Sequence, residues 1–320
     1  MSLGRTAGVT DTGRKRRHNE DSFVLSPPVF AIADGMGGAK AGEVAAALAA
    51  DALRGEGGRG EDAVEGLIQE ANRRVYQRAT EDAAASGMGT TMTVALLEDG
   101  RVQIGHVGDS RAYLIRDGEL HQLTEDHSLV GELVRSGKLA PEDAESHPQR
   151  SVITRVLGTD PEVDVDTITV ETREGDLFLL CSDGLYSMVG NERILELVER
   201  HRGDLDAAAR ALVTAANKGG GEDNITVVAF EIAGAEDETQ RIDRDPTLEQ
   251  SRSPDEEDTL TEVDRVPAVT TMVVPPDQVE EVFEPAERRP APRPPRVVLV
   301  LLALIVAAVV ATIVVYLLAR

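Results

Sequence analysis

The chain has 320 residues, of which 41% are hydrophobic and 3% aromatic, and its formal net charge is −24. The apolar fraction is sufficient for a packed core and excludes a wholly disordered chain. The acidic balance argues against nucleic acid as a partner, because phosphate backbones are bound by Lys and Arg. A single cysteine, Cys181, excludes an intrachain disulfide, and its apolar neighbours predict a buried structural thiol rather than a nucleophile.

Residues 1–234 alternate strand-like and helix-like patterns and are predicted to form one domain. In chain order we predict a strand over 29–33, helices over 42–53, 63–84 and 129–136, a strand over 176–181, helices over 192–200 and 205–216, and a strand over 224–231. Asp99-Gly100 and Asp117-Gly118 each separate two apolar runs, which is typical of tight antiparallel hairpins. Hairpins with helices grouped around them indicate an α+β fold rather than a doubly wound parallel sheet.

Residues 235–296 form an acidic segment that contains Pro and Thr and shows no sustained period. Within it, 235–284 carries 16 acidic and only 4 basic residues. Such a composition cannot bury enough apolar surface to offset the entropy of ordering, so we predict a disordered linker. The linker is either a passive tether or a target of kinases, and the candidate acceptors that lie among its carboxylates are Thr239, Thr247, Thr259 and Thr261.

Residues 297–318 are 22 consecutive residues without a charge. As a helix they would span about 33 Å, the thickness of a bilayer core, and we predict a single transmembrane helix. A buried core helix is the alternative, but the segment is apolar all round and follows a long linker, with nothing left to pack on. Four arginines precede the segment and one follows it, which predicts a cytoplasmic N-terminal domain at the cell membrane. No apolar stretch follows the basic run at 14–17, so no secretory signal is expected.

Five aspartates flank predicted strands: Asp21, Asp34, Asp109, Asp183 and Asp223. Each one alone is weak support for a site, because Asp-Gly is a common turn pair. Strands of one sheet bring their ends together, however, so these side chains are expected to converge on one edge. Crowded carboxylates repel one another unless divalent cations compensate them. The absence of a Cys/His cluster with ligand spacing argues against zinc, and oxygen-only ligation favours Mg²⁺ or Mn²⁺.

The order of the motifs resembles the metal-dependent PPM or PP2C family of protein phosphatases, and its bacterial Ser/Thr phosphatases in particular. The resemblance covers about residues 5–233 and rests on seven ordered motifs: DTGRKRRHNED, ADGMGG, GMGTT, GHVGDSR, SHPQRSVITRVLG, CSDG and GEDNITVV. It implies a central antiparallel β-sandwich flanked by helix pairs. It also implies hydrolysis of phosphoserine and phosphothreonine by a water that bridges two Mn²⁺ or Mg²⁺ ions, without a phospho-enzyme.

The resemblance also implies roles for the residues that match the family's motifs. Asp34 corresponds to the carboxylate that bridges the two metals, and the Gly35 carbonyl to a further ligand. Asp183 and Asp223 correspond to the other carboxylates of the first metal. Asp34 and Gly35 lie within ADGMGG, Asp183 lies within CSDG, and Asp223 lies within GEDNITVV.

The second ion and the phosphate have their own counterparts. Glu20 and Asp21 resemble residues that ligate or orient the waters of the second metal, and Asp109 resembles a ligand of a third, weaker metal in bacterial members. Arg16 falls at the position of the phosphate-binding arginine, whose planar fork suits a phosphoryl group better than a lysine does.

Three features depart from the family pattern. Met36 stands where many eukaryotic members have a histidine proposed as the general acid, which leaves that acid unidentified. Ser187 stands where many relatives have an acidic residue, which puts the third metal in doubt. The basic run at 14–17 exceeds the one arginine that the family needs, and we interpret its other members as solvated charges. His127 and His147 are interpreted as structural or solvent-facing, with substrate contact as the alternative.

The leading functional hypothesis is an active phosphatase that acts on cytoplasmic phosphoproteins and opposes Ser/Thr protein kinases. Two alternatives remain open from the sequence. One is a degenerate fold that binds phosphoproteins without turnover, and the other is a phosphatase for a small molecule or for a regulator of transcription factors.

Overall fold

The structure is a computed structural model that describes residues 1–37, 41–54, 60, 62–144, 147–234 and 272–273. The strands are β1 (Ser2–Asp11), β2 (Asp21–Ser26), β3 (Val29–Met36), β4 (Gly89–Thr90), β5 (Met92–Glu98), β6 (Arg101–Val107), β7 (Arg111–Arg116), β8 (Glu119–Gln122), β9 (Val152–Ile153), β10 (Asp166–Glu171), β11 (Leu177–Cys181), β12 (Ile225–Ala233) and β13 (Met272–Val273). The helices are α1 (Ala41–Ala52), α2 (Ala63–Glu81), α3 (Leu129–Arg135), α4 (Pro141–Ala144), α5 (Asp183–Tyr186), α6 (Asn191–Arg200) and α7 (Leu205–Gly219), with a 3₁₀ turn at Ala83–Ala85.

Two antiparallel sheets form the centre of the fold. The first has the strand order β1-β12-β11-β7-β8, and the second has the order β10-β6-β5-β3-β2, with β4 beside β3. Apolar side chains from both sheets meet between them, where the Phe30 ring of β3 stacks on the Phe230 ring of β12 at 4.1 Å between centroids. The Phe178 ring of β11 also stacks with Phe230, at 5.0 Å between centroids. The central layer is therefore a β-sandwich.

Helices cover the outer face of each sheet. The alanine-rich face of α1 and the apolar face of α2 pack on the second sheet, through residues such as Ala45, Ala49 and Ile68. Helices α6 and α7 pack on the first sheet, where Leu197 and Leu212 are buried. The predicted α+β sandwich flanked by helices is confirmed, and the apolar periodicity of each helix accounts for the face that it buries.

The two Asp-Gly turns are confirmed and show why the sequence was informative there. Asp99 and Gly100 have φ values of 51° and 77°, and Asp117 and Gly118 have 55° and 80°. Two successive residues with positive φ form the turn that matches the twist of an antiparallel hairpin, and Asp followed by Gly tolerates that backbone best. These turns connect β5 to β6 and β7 to β8.

Several strands were not predicted from the sequence. β1 is ten residues long, but only Ala7 is buried within it, so its apolar alternation is weak. β10 carries the alternation Thr167, Ile168, Thr169, Val170, which was available as a signal, and it pairs with β6 at the edge of the second sheet. The strand predicted over 29–33 continues to Met36, so that Asp34 lies within β3 rather than after it.

The predicted linker and transmembrane helix lie outside the described residues, apart from Met272–Val273, which pairs in parallel with β9. None of the helices in the described ranges is long and apolar enough to cross a bilayer.

Candidate metal centre

Asp21 joins the two sheets at one end of the sandwich. Its Cα lies opposite that of Asp34 in the β2–β3 ladder, and its side chain reaches across to the first sheet. There Oδ2 accepts hydrogen bonds from Ser182 Oγ at 2.9 Å and from Thr226 Oγ1 at 2.5 Å. Asp21 is only 8% exposed, so a carboxylate is fixed within the protein rather than at its surface.

The backbone of Asp34 is held by the two threonines of the GMGTT motif. Thr90 Oγ1 donates to the Asp34 carbonyl at 2.9 Å, and the Asp34 N–H donates to Thr91 Oγ1 at 3.1 Å. The Thr91 N–H also donates to the Asp34 carbonyl, at 2.8 Å. These contacts show that the motif fixes the strand that carries Asp34.

Asp183 and Asp223 lie next to strands of the first sheet. Asp183 is the first residue of α5, two residues after β11 ends, and Asp223 lies two residues before β12 begins. Asn224 fastens the N-terminal loop beside them: its Oδ1 accepts from the Glu20 N–H at 2.8 Å, and its Nδ2 donates to the carbonyls of Thr12 and His18 at 2.9 and 3.0 Å. The loop that carries Arg16 and Glu20 is therefore tied to the strand that follows Asp223.

Gly35 and Glu20 present oxygens to one small space beneath α1. A Cβ added to Gly42 would lie 2.9 Å from Glu20 Oε2 and 2.9 Å from the Gly35 carbonyl oxygen. A Cβ added to Gly35 would lie 2.2 Å from the Gly42 carbonyl oxygen. Only glycine allows the strand and the helix to approach this closely, which explains the Gly after Asp34.

Burial and mutual repulsion raise the pKa values of these carboxyl groups. Burial is the main cause that raises the pKa of Asp21 to about 7 and that of Asp109 to about 7. Burial also raises the pKa of Asp34 and Asp183 well above the usual range. In both of these the charges of neighbouring aspartates, among them Asp223, add to the effect. The five predicted aspartates are therefore close enough to influence one another, as the sequence analysis expected.

Buried oxygens without a partner indicate what the cluster needs. Oδ1 of Asp21 and Oδ1 of Asp183 are buried and have no hydrogen-bond partner. An unpaired buried carboxylate oxygen is costly, and a divalent cation would compensate both the oxygen and its charge. In the part of the chain that the structure describes, no three His, Cys, Asp or Glu side chains form a ready-made ion site. Beside the carboxylates, the Gly35 carbonyl oxygen borders the same small space as Glu20 Oε2, and hard divalent cations bind carboxylate and carbonyl oxygens together with water.

Arg16 lies at the edge of the cluster. Its Nη2 donates to Asp223 Oδ2 at 2.7 Å, and both side chains are 28% exposed. The guanidinium is therefore partly open to solvent next to the carboxylates. The neighbouring Arg14, Lys15 and Arg17 are exposed, as interpreted from the sequence.

Asp109 is carried on a short loop between β6 and β7. The Gly108 N–H donates to His127 Nδ1 at 3.0 Å, and the His127 N–H donates to the Gly108 carbonyl at 2.7 Å. Gly108 has a φ of 110°. His127 is only 3% exposed, which confirms its structural interpretation. Its Nε2 lies 3.1 Å from Asp166 Oδ2, on β10.

Sequence reasoning missed the residues that hold the aspartates in place. They are Thr90, Thr91, Ser182, Asn224 and Thr226, together with Tyr186, whose hydroxyl donates to the Asp109 carbonyl at 3.2 Å. Ser182 and Asn224 each lie next to a motif aspartate in the sequence, and that adjacency was the one available signal. Met36 forms a backbone pair with Gly89 and offers no proton donor in its side chain.

Comparison with known proteins gives a consistent result. The family model described as "Protein phosphatase 2C" matches residues 14–216. The chain is 41% identical over 236 residues to the Serine/threonine phosphatase stp of Listeria monocytogenes, an alignment that covers 69% of this chain and 93% of the relative. The fold is similar to the crystal structure of the serine/threonine phosphatase PstP/Ppp of Mycobacterium tuberculosis, with a TM-score of 0.69 and 40% identity over 73% of this chain and all of that one. A structure of the PstP catalytic domain in complex with two manganese ions gives a TM-score of 0.67 and 38% identity over 72% of this chain and 99% of that one.

Proposed function

This chain belongs to the protein phosphatase 2C family, and from that premise we propose how its own residues perform the reaction. The enzyme is a metal-dependent Ser/Thr protein phosphatase that uses Mn²⁺ or Mg²⁺. The observation that carries the proposal is the buried cluster of aspartates with raised pKa values, in which Asp21 and Asp183 each have an unpaired Oδ1.

We assign the carboxylates to two ions. Asp34 and the Gly35 carbonyl lie on β3 of the second sheet and would serve both ions. Asp183 and Asp223, from the first sheet, would complete the first ion. Glu20 shares a small space with the Gly35 carbonyl and would serve the second ion, directly or through water.

Asp21 has a different task from the other ligands. Ser182 and Thr226 donate hydrogen bonds to its Oδ2, which leaves the buried Oδ1 without a partner. In this orientation Asp21 would hold a water of the second ion rather than close its coordination. It would also keep negative charge near that water.

When bound, the two ions lower the pKa of a water to supply the nucleophile near neutral pH and neutralise charge on the phosphoryl oxygens. Arg16 would bind and orient the phosphoryl group, because its guanidinium lies at the rim of the cluster with 28% of its surface open. A planar, permanently charged fork gives two parallel hydrogen bonds to such a group. No side chain near Met36 is assigned as the acid that protonates the departing serine or threonine oxygen.

The protein substrates and the location of the enzyme are further parts of the proposal. The uncharged segment 297–318 and the arginines before it support a single-pass anchor with the catalytic domain on the cytoplasmic side. There the enzyme would oppose Ser/Thr kinases, and the linker would raise its effective concentration near membrane-bound phosphoproteins. Extraction of the full chain with detergent, but not with high salt or carbonate, would support the anchor, whereas release by salt alone would refute it.

The activity is tested with the full-length chain and a phosphothreonine peptide. We expect Mn²⁺-dependent release of phosphate that EDTA abolishes, and a loss of more than about 100-fold in Asp34→Asn, since even residues that only support a ligand cost about 10- to 100-fold. Asp117→Asn is the matched control, because Asp117 lies in a hairpin turn with 85% of its side chain exposed. Full activity of Asp34→Asn would refute the ligand assignment, and binding of the peptide without turnover would favour the degenerate-fold alternative.

A further inference from the structure

Two arginines of the basic run at 14–17 contact the loop that leads into β12. Arg16 reaches Asp223 with its guanidinium, at 2.7 Å. Arg14 lies beside Gly221, whose carbonyl accepts a hydrogen bond from the Arg14 N–H at 2.7 Å. A Cβ added to Gly221 would lie 2.8 Å from Arg14 Cγ. The start of the Arg14 side chain is therefore fixed beside a residue two positions before Asp223, while Arg14 as a whole is exposed.

A third arginine reaches the same loop from a distant part of the chain. Arg150 Nη2 lies 3.9 Å from Oε2 of Glu222, which directly follows Gly221. The two side chains are 50% and 58% exposed, and an ion pair this long and this exposed contributes little to stability. Arg150 therefore retains a solvated charge that another anion can bind. We call Arg14 and Arg150 the rim arginines.

The rim arginines concentrate positive charge beside the metal centre of a chain whose net charge is −24. They approach the two residues that directly precede Asp223, and consecutive Cα atoms are about 3.8 Å apart. The contacted positions thus lie within about 8 Å of the residue that Arg16 contacts. An extended peptide advances about 3.3 Å per residue, so the side chains two or three residues from a phosphate held by Arg16 extend over the same distance.

We propose that the rim arginines bind acidic side chains that flank the phosphothreonine, so that the enzyme prefers acidic phosphopeptides. The inference rests on the proposed function and specifies its substrate class. Carboxylates at these positions would form charged hydrogen bonds with the guanidinium groups, whereas basic side chains there would be repelled. Arg16 keeps its own task, the phosphoryl group. The rim arginines therefore affect the binding of the peptide and not the chemical step.

The chain itself contains a suitable test sequence. Four acidic residues, 255–258, directly precede Thr259. A peptide of residues 255–261 phosphorylated at Thr259 is the acidic substrate, and the same peptide with the four acidic residues replaced by Asn and Gln is the neutral one. Both are assayed with the full-length enzyme in saturating Mn²⁺. In the unaltered enzyme we expect the acidic peptide to have the lower KM, and added NaCl should remove the difference because salt screens exposed charges.

Arg14→Gln and Arg150→Gln remove one rim charge each. Each should raise the KM of the acidic peptide by about two- to five-fold, the range of a single exposed ion pair. Neither should change kcat or the KM of the neutral peptide. Arg17→Gln is the matched control, since it removes the same charge from the same basic run at an exposed position, and it should change neither KM. Equal increases for all three variants would overturn the inference, because they would indicate a general effect of charge.

Glu222 provides a test with the opposite sign. Glu222→Gln removes the carboxylate that faces Arg150 and should lower the KM of the acidic peptide by about two-fold. The gain should disappear when Arg150→Gln is also present, because the two side chains are coupled. The Mn²⁺ concentration for half-saturation should stay unchanged, which excludes damage to the neighbouring Asp223. A gain that persists without Arg150 would overturn the role of that arginine.

The two peptides also separate this inference from the proposed function. Equal KM values for the acidic and the neutral peptide in the unaltered enzyme would overturn the inference and leave the phosphatase assignment intact. Absence of turnover with either peptide in the presence of Mn²⁺ would refute the proposed function, and the inference with it.

Discussion

Replacing Asp21 with asparagine should stabilise the metal-free protein and weaken the metal-loaded enzyme. Asparagine has nearly the same shape, and its carbonyl oxygen can still accept hydrogen bonds from Ser182 and Thr226. Its NH₂ group would replace the Oδ1 that is buried without a partner. The substitution therefore removes one negative charge from the crowded cluster without removing the contacts that hold the side chain.

The size of the effect follows from the pKa of Asp21. Burial raises that pKa from its usual 3.8 to about 7, and each pKa unit corresponds to about 1.4 kcal/mol. Below pH 3.8 the carboxyl is protonated in the folded and unfolded states alike, so no penalty exists. Between 3.8 and about 7 only the unfolded chain loses the proton, and stability falls as the pH rises. Above pH 7 the folded protein carries the full penalty, at most about 4 kcal/mol.

The measurement is urea unfolding of the full-length chain in EDTA, followed by far-ultraviolet circular dichroism because the chain contains no tryptophan. At pH 8 we expect Asp21→Asn to be more stable than the unaltered chain by up to about 4 kcal/mol. At pH 4.5 the difference should shrink to about 1 kcal/mol. Asp117→Asn, at the exposed hairpin turn, should show no such dependence on pH.

The order should reverse when Mn²⁺ is added, because a ligand that binds the folded state stabilises it more, the tighter it binds. The unaltered chain should then gain more stability than Asp21→Asn and should keep the higher phosphatase activity. An Asp21→Asn variant that is less stable than the unaltered chain in EDTA at pH 8, or whose advantage does not shrink at pH 4.5, would refute the account of the cluster.

Three further predictions follow from single contacts. Gly35→Ala should lower the thermal unfolding temperature and abolish Mn²⁺ binding, since its Cβ would lie 2.2 Å from a carbonyl oxygen of α1. The control is Gly66→Ala in α2, where no described atom outside the helix backbone lies within 4 Å of an added Cβ. This control should leave the free energy of unfolding unchanged or raise it by up to about 1 kcal/mol. Arg16→Ala should lower kcat/KM for a phosphothreonine peptide by about ten-fold or more, because a charged hydrogen bond to the phosphate is lost. Arg17→Ala, at an exposed position, should retain the activity. Equal losses in both variants would indicate an effect of overall positive charge instead of a phosphate contact. Iodoacetamide should leave the folded enzyme unmodified and active at pH 8, because Cys181 is fully buried and burial raises the pKa of its thiol to about 12. Detection of alkylated Cys181 by mass spectrometry before the protein is unfolded would contradict the prediction.

Local features of the sequence predicted the parts of the fold that local forces decide. Asp99-Gly100 and Asp117-Gly118 specify their turns through backbone preferences of two adjacent residues, and both hairpins were predicted correctly. Among the helices of the described ranges, the five longer ones were predicted to within a few residues, because each buries one apolar face. The four-residue helices α4 and α5 were not predicted. β1 was missed because an edge strand with a single buried residue has almost no alternation to detect.

The metal centre also has one part that the sequence predicts and one part that it does not. The convergence of the aspartates could be expected, since strand ends of a sandwich meet at one edge. The hydroxyls that bind Asp21 could not, because Ser182 and Thr226 are 161 and 205 residues away in the sequence. The contact of Tyr186 with Asp109, across 77 residues, has no local signature either. Which residues support a site depends on contacts that form only in the folded protein. Residues that bind a metal, in contrast, must have suitable charged oxygen atoms, and this requirement can be recognised in the sequence.

The position of β12 within its sheet has a consequence for the order in which the protein matures. β12 is the last strand of the sandwich to be synthesised, yet it lies between β1 and β11 and pairs with both. On the ribosome β1 therefore waits for its partner until residue 233 has emerged. The same strand brings Thr226 to Asp21 and begins two residues after Asp223. A nascent chain, or one truncated before residue 223, can thus complete neither the first sheet nor the carboxylate cluster, and the enzyme becomes active only when its catalytic domain has been fully made.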